Sequence, residues 1–258
     1  MVKKLLAVGC SYTSDDFPFP VWPKLLAKKF NMECINLGQC GSGNEYIYSR
    51  TLDTLVTEKN LGLVVVMWSQ FQRLDFYDDD KWKCFGSSNL KAFFQAGNKE
   101  RNRKECTNKL EMLYNKIYDY FGYDDISHHT GRSIRLFYSL QQIMKLPEYN
   151  NIPFYQLMGT YPCDRTQKYI AAKTIIDSPY LDKINEMLFL GWPIFDVLGG
   201  WNVDTWLDKV DLGKRNQDSD VRISQTDCHP NKKGHEKIAE MLYNEIKKGV
   251  LNGSIQTT

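Results

Sequence analysis

Leu5-Leu6-Ala7-Val8-Gly9-Cys10-Ser11-Tyr12-Thr13 is an apolar run that stops abruptly at small and hydroxyl-bearing residues. Such a run reads as a buried strand ending in a tight turn, with Ser11 in the turn. Near the far end, Asp227-Cys228-His229-Pro230-Asn231-Lys232-Lys233-Gly234-His235 supplies a carboxylate and an imidazole just ahead of an expected helix. A serine, a histidine and an acid are what a nucleophilic hydrolase needs, provided the fold brings the two ends together.

Between those ends the pattern alternates. Lys3 to Val8 reads as the first strand, and Trp22 to Phe30 as a helix with apolar residues near helical spacing. Cys34 to Leu37 is a short strand, followed by the glycine loop Gly38 to Asn44 and a helix from about Glu45 to Lys59. Leu63 to Trp68 has the β-branched composition of a central parallel strand, and Ile152 to Met158 is another. A helix from about Lys233 to Lys248 closes the chain. Strands alternating with helices predict a three-layer α/β/α sandwich with a short parallel sheet. The stretch from about 78 to 150 is less regular, with expected helices at Thr107 to Phe121 and Gly131 to Met144, and reads as a helical insertion or cap within a single domain spanning 1–258.

The 258 residues include 42% apolar residues, enough for a sizeable core, and 33 Lys plus Arg against 31 Asp plus Glu give a net charge of +2. That balance carries no signature of a nucleic-acid or anionic-membrane partner. The apolar part of the N-terminus is too short for a signal peptide, and no run has membrane-spanning length. Seven scattered cysteines without CxxC spacing argue for reduced thiols, hence a reducing, cytoplasmic setting, and against a disulfide framework or zinc site.

Three segments together carry a family resemblance. Gly9-Cys10-Ser11-Tyr12-Thr13 resembles the first block of the SGNH (GDSL-like) hydrolases, Asn36-Leu37-Gly38-Gln39-Cys40-Gly41 the second, and His229-Pro230 the last, in family order. The resemblance implies a flavodoxin-like sandwich and hydrolysis of a carboxylic ester through an acyl-enzyme on Ser11, with no cofactor and no metal. It implies His229 as base and Asp227 as its acid, and an oxyanion hole formed by the backbone N–H groups of Ser11 and Gly41 and the amide of Gln70. Two departures stand out. Trp68-Ser69-Gln70-Phe71 replaces the usual Gly-x-Asn-Asp, and the acid sits two residues before the histidine, with Thr226 at the usual position. This variant, with Arg73 following, resembles divergent SGNH-like proteins often found in phage genomes, which adds a virion-associated setting to the cytoplasmic one.

Tyr12, Trp68, Phe71, Arg73 and Asn44 fall where the mouth of such a site belongs and are expected to contact a small-molecule or glycan ester, such as an O-acetyl sugar. Phe17 and Phe19 fall at the same mouth, and the segments Leu190 to Phe195 and Gly199 to Asn202 offer a further aromatic wall, against the plainer reading that these rings are core. Asp227 reads equally as a cap of the final helix region, and Gln70 as a buried amide. Cys10 points away from Ser11 by strand alternation and is expected in the core, and His235 is expected partly exposed on the last helix. His128-His129 and the loop Gly38 to Gly43 resemble metal and dinucleotide sites too weakly to be assigned so, and the basic stretch Lys99 to Lys104, broken by Glu100, reads as a solvated face. Transfer of the acyl group to a sugar hydroxyl stays open beside hydrolysis, as does a different class, a catalytically inactive SGNH-like binding module. The sequence leaves oligomeric state undetermined.

Overall fold

The computed structural model describes residues 2–78, 81–85, 125–210 and 219–251. Among them are strands β1 (Lys4–Gly9), β2 (Glu33–Gly38), β3 (Leu61–Trp68), β4 (Leu74–Asp78), β5 (Lys81–Phe85), β6 (Phe154–Met158) and β7 (Phe189–Leu190). The helices are α1 (Trp22–Lys29), α2 (Asn44–Thr57), α3 (Ile126–Ile143), α4 (Lys168–Ile176), α5 (Val203–Val210) and α6 (Lys232–Leu251). The expected helix at Thr107 to Phe121 and the basic stretch from Lys99 lie outside the described residues. No described helix is long and apolar enough to cross a membrane.

The main sheet has the order β2-β1-β3-β6-β7, with every pair parallel. This is the doubly wound, flavodoxin-like order, in which the chain reverses direction across the sheet after β2. Strand alternation divides the core into two layers. Leu6, Val8, Val64, Val66 and Phe154 face α2, α3 and α4, through residues such as Ile47, Phe137 and Ile175. Leu5, Ala7, Leu63, Val65 and Leu157 face α1, α5 and α6, through Leu26, Leu207 and Leu242. All eight residues of β3 are buried, as a central strand covered on both faces requires. The sandwich expected from the sequence is therefore the observed fold.

The 78–150 segment differs in part from its expected reading. Helix α3 is no cap element: Ile126, Ile134, Phe137 and Leu140 are buried against the sheet, and the Phe137 ring lies 4.7 Å from that of Trp68. The preceding β4–β5 hairpin was not anticipated. Its Asp75 carboxylate accepts the N–H groups of Gly43 at 2.8 Å and Tyr46 at 2.9 Å, satisfying orphan donors at the α2 N-terminus. Strand β7 is two residues long, too short to leave a periodic signal.

In open sheets of this order ligand sites form beyond the carboxyl ends of the strands, where the winding reverses. Here that edge collects the turn after β1, the loop after β2 and the residues after β3, because Gly9 is in register with both Gly38 and Met67.

Candidate active site

Ser11 follows β1 in a tight turn in which the Cys10 carbonyl accepts the N–H of Thr13 at 2.8 Å and of Ser14 at 3.1 Å. The turn folds back over the strand end so closely that a Cβ on Gly9 would lie 2.2 Å from Thr13 Oγ1, so only glycine fits. Asn36 ties the turn to β2: its Nδ2 donates to the Thr13 carbonyl at 2.7 Å and its Oδ1 accepts from Gly38 N–H at 3.0 Å. Cys10 is fully buried in the α1/α6 layer, leaving Ser11 at the cleft edge of the turn.

The segment before α6 closes on itself. Ile223 N–H donates to the His229 carbonyl at 2.9 Å, Asn231 N–H to the Val221 carbonyl at 3.0 Å, and Asp227 N–H to Ser224 Oγ at 3.0 Å. One carboxylate oxygen of Asp227 accepts the backbone N–H of His229 at 3.0 Å and lies 2.5 Å from His229 Nδ1. His229 Nε2 lies 2.8 Å from Ser11 Oγ. The structure thus joins Asp227, His229 and Ser11 in one hydrogen-bonded chain, and a two-residue spacing suffices because the same oxygen serves backbone and ring. Burial alone would raise the Asp227 pKa, but the backbone N–H and ring of His229 outweigh it and hold the carboxyl below its ordinary value. The His229 ring packs at 5.6 Å from Tyr12 and 5.9 Å from Phe17.

Around Ser11, the N–H groups of Ser11 and Gly41 and the Nε2 of Gln70 have no hydrogen-bond acceptor among the described residues. They emerge from β1, β2 and β3, adjacent in the sheet. Gly41 has φ 79°, the left-handed region where glycine costs nothing. Arg73 braces both flanks: its Nη1 donates to the Ser42 carbonyl at 3.0 Å, and its Nε makes a long 3.4 Å contact to Gln70 Oε1 that leaves the amide NH₂ free.

The expected substrate contacts need correction. Trp68 and Phe71 have no exposed surface, and the Trp68 Nε1 donates to Gln156 Oε1 at 2.7 Å. Both are core residues. Asn44 is also fully buried; its Nδ2 donates to the Ser69 carbonyl and Ser133 Oγ while its Oδ1 accepts Ser69 N–H, so it locks the β3 exit to α2 and α3. Tyr12 is buried, with its hydroxyl donating to Asp204 at 2.9 Å, and burial pushes its pKa well above 10, keeping it a neutral donor. Arg73 braces the loops rather than reaching outward. Trp192 and Phe195, placed in an aromatic wall by sequence, pack in the core. Phe17 is the ring that borders the site, half-buried and stacked on Phe19 at 5.5 Å.

His235 also departs from expectation, being fully buried. Its Nδ1 accepts the N–H of Trp22 at 3.3 Å, supplying the α1 N-terminus with a cap that Val21 cannot provide. Burial, reinforced by the nearby His229, lowers its pKa to about 4. Because the folded value is depressed below that of a free imidazole, the unfolded chain binds the extra proton between about pH 6.5 and 4, and His235 stabilises fully only above that window. Urea unfolding at pH 7 and pH 4.5 should show an acid-side loss smaller by about 1–3 kcal/mol in His235→Gln than in wild type. An equal loss in both would remove His235 as a source of acid lability.

Among the described residues no group of three or more His, Cys, Asp or Glu side chains is placed to hold a metal. His128 and His129 sit in the first turn of α3 with their rings 5.8 Å apart and nearly perpendicular. Sequence reading missed Asp75, Asp204 and Arg222, whose roles depend on contacts between distant elements.

No family model matches the chain, and no curated protein does. Among solved structures, it is similar to a protein assigned to the G-D-S-L lipolytic family from Desulfitobacterium hafniense DCB-2, at 16% identity and TM-score 0.45, over 94% of this chain and 99% of that one. It is similar to Axe2, an acetylxylan esterase from Geobacillus stearothermophilus, at 14% identity and TM-score 0.45, over 95% and 94%. LAE5, an alpha/beta hydrolase enzyme from the metagenome of Lake Arreo, matches at 13% identity and TM-score 0.45, over 95% of each chain.

Proposed function

We propose that the chain is a divergent SGNH hydrolase that cleaves a carboxylic ester through an acyl-enzyme on Ser11. The observation that carries this reading is the Asp227–His229–Ser11 hydrogen-bond chain, joined across 218 residues of sequence. With Nδ1–H donated to Asp227, Nε2 accepts the Ser11 proton as Oγ attacks the carbonyl carbon. The negative charge on the carbonyl oxygen is met by the Ser11 and Gly41 N–H groups and the Gln70 amide. His229 then returns the proton to the departing alcohol, and the same base activates water to release the acid.

The exposed Asp16 and Cys40 near the serine turn suit a polar alcohol half, and the acyl group in this proposal is short. Ser14 Oγ bonds the Asp16 carboxylate, which this bond holds below its ordinary pKa, and the exposed Cys40 lies 4.0 Å from Ser14 Oγ. The test is hydrolysis of p-nitrophenyl acetate and butyrate. Acetate should be preferred by about tenfold, and Gln70→Ala should lower kcat about 10²-fold with KM little changed. Hydrolysis no faster than buffer would overturn the reading, and an unaffected Gln70→Ala would remove that donor from it.

A further inference from the structure

Beneath the loop that carries Asp227 and His229 lies a buried ionic cluster that the proposed chemistry does not use. Arg222 and Asp204 have side chains only 1% and 2% exposed. The Arg222 Nη2 donates to the Asp204 carbonyl at 2.7 Å and to Asp208 Oδ1 at 2.8 Å, anchoring the fork on α5. Its Nη1 contacts Asp204 Oδ1 at 3.1 Å and the Tyr12 hydroxyl at 2.9 Å, and donates to the Cys228 carbonyl at 2.7 Å.

That last contact has geometric leverage. The Cys228 carbonyl and the His229 N–H belong to one peptide unit, which is planar, so fixing the direction of the carbonyl fixes the opposite direction of the N–H. The N–H is the group that holds Asp227 Oδ1 at 3.0 Å, and the same oxygen lies 2.5 Å from His229 Nδ1. Tyr12 completes the link, since it follows Ser11 directly and meets the Cys228 carbonyl at 3.1 Å and the His229 ring edge-on. A buried ion pair is costly to assemble and no general source of stability. Its placement on this one peptide gives it a use.

We propose that Arg222, held by Asp204, is a positioning residue that sets the peptide plane between Cys228 and His229 and thereby the Asp227–His229 pairing. This rests on the esterase reading for its effect on turnover, but the geometry it asserts is measurable without activity. Lysine at 222 keeps the charge beside Asp204 and loses the fork that reaches Cys228 and α5 together.

The experiment compares wild type, Arg222→Lys, Tyr12→Phe and a stability control, Ile175→Val, on α4 in the core layer across the sheet from α5 and α6. The readouts are kcat and KM on p-nitrophenyl acetate, thermal unfolding, and the downfield proton resonance of His229 Nδ1–H, assigned by its loss in His229→Ala. In Arg222→Lys, kcat should fall at least tenfold with KM within twofold and the resonance should shift or vanish. Tyr12→Phe should lose about threefold, with a smaller shift, and carries the test if Arg222→Lys does not fold. The control should lower Tm and leave both readouts in place. Unchanged resonances in the folded variants, or a kcat loss no greater than the control's, would overturn the positioning role. If wild type proves inactive, the esterase reading falls and the resonance alone decides the positioning role.

Discussion

Ser11→Ala and His229→Ala should each reduce kcat on p-nitrophenyl acetate by at least about 10³-fold, and the double variant should lose little more than either alone. Groups that act as one unit are strongly non-additive, because removing either member stops the same proton-coupled attack. The physical basis is the 2.8 Å contact between His229 Nε2 and Ser11 Oγ: an alcohol is a poor nucleophile until a base takes its proton during attack. Both substitutions should be mild for stability. Ser11 sits in a turn held by backbone bonds from Cys10 rather than by its own side chain, and the His229 ring is about a third exposed. Steady-state kinetics with circular dichroism of each variant checks this. Losses that multiply would show two independent contributions and would contradict a single relay.

Asp227→Asn should lower kcat by about 10²–10⁴-fold with the fold intact. Because one oxygen meets both the His229 N–H and Nδ1, an amide at 227 can keep that oxygen in place but removes the negative charge that stabilises the imidazolium formed as Ser11 attacks. The Asp227 side chain is 44% exposed, so water can partly replace it, and this places the expected loss below that of a fully buried acid. Asp227→Ala should be as slow or slower and somewhat less stable, because it also removes the turn cap on His229 N–H. One oxygen thus meets both the ring and the backbone N–H of His229, whereas the final helix, which Asp227 was expected to cap, is capped by Asn231, whose Oδ1 accepts the Gly234 N–H at 3.0 Å. A kcat in Asp227→Asn within threefold of wild type would leave only the cap.

What the sequence disclosed follows from where each signal resides. β1, β2, β3 and β6 were legible because buried parallel strands are local apolar runs, and the serine turn and Asp-x-His segment because each carries its chemistry within a few residues. Trp68 and Phe71 were misread because a residue at or just past a strand end can face the cleft or the core, and Asn44 because a residue opening a helix can do the same; only α3 packing against them decides it. The β4–β5 hairpin was hidden in an acidic stretch whose Asp75 has meaning only beside the α2 N-terminus. His235 was nearer to hand: with Ile238, Ala239, Leu242 and Ile246 it falls on the three-and-four spacing of the buried face of α6, which marks it as buried. Arg222 offered no local signal, since its partners Tyr12 and Asp204 lie 210 and 18 residues away.

In the proposed reaction His229 activates Ser11 for attack. The most direct measurement of this activation is intact mass after reaction with a fluorophosphonate, followed by peptide mapping, for wild type and His229→Ala. One adduct per wild-type chain is expected, on Ser11, with labelling slowed at least about 10²-fold in His229→Ala. A wild-type chain that stays unmodified, or an adduct on another residue, would contradict it.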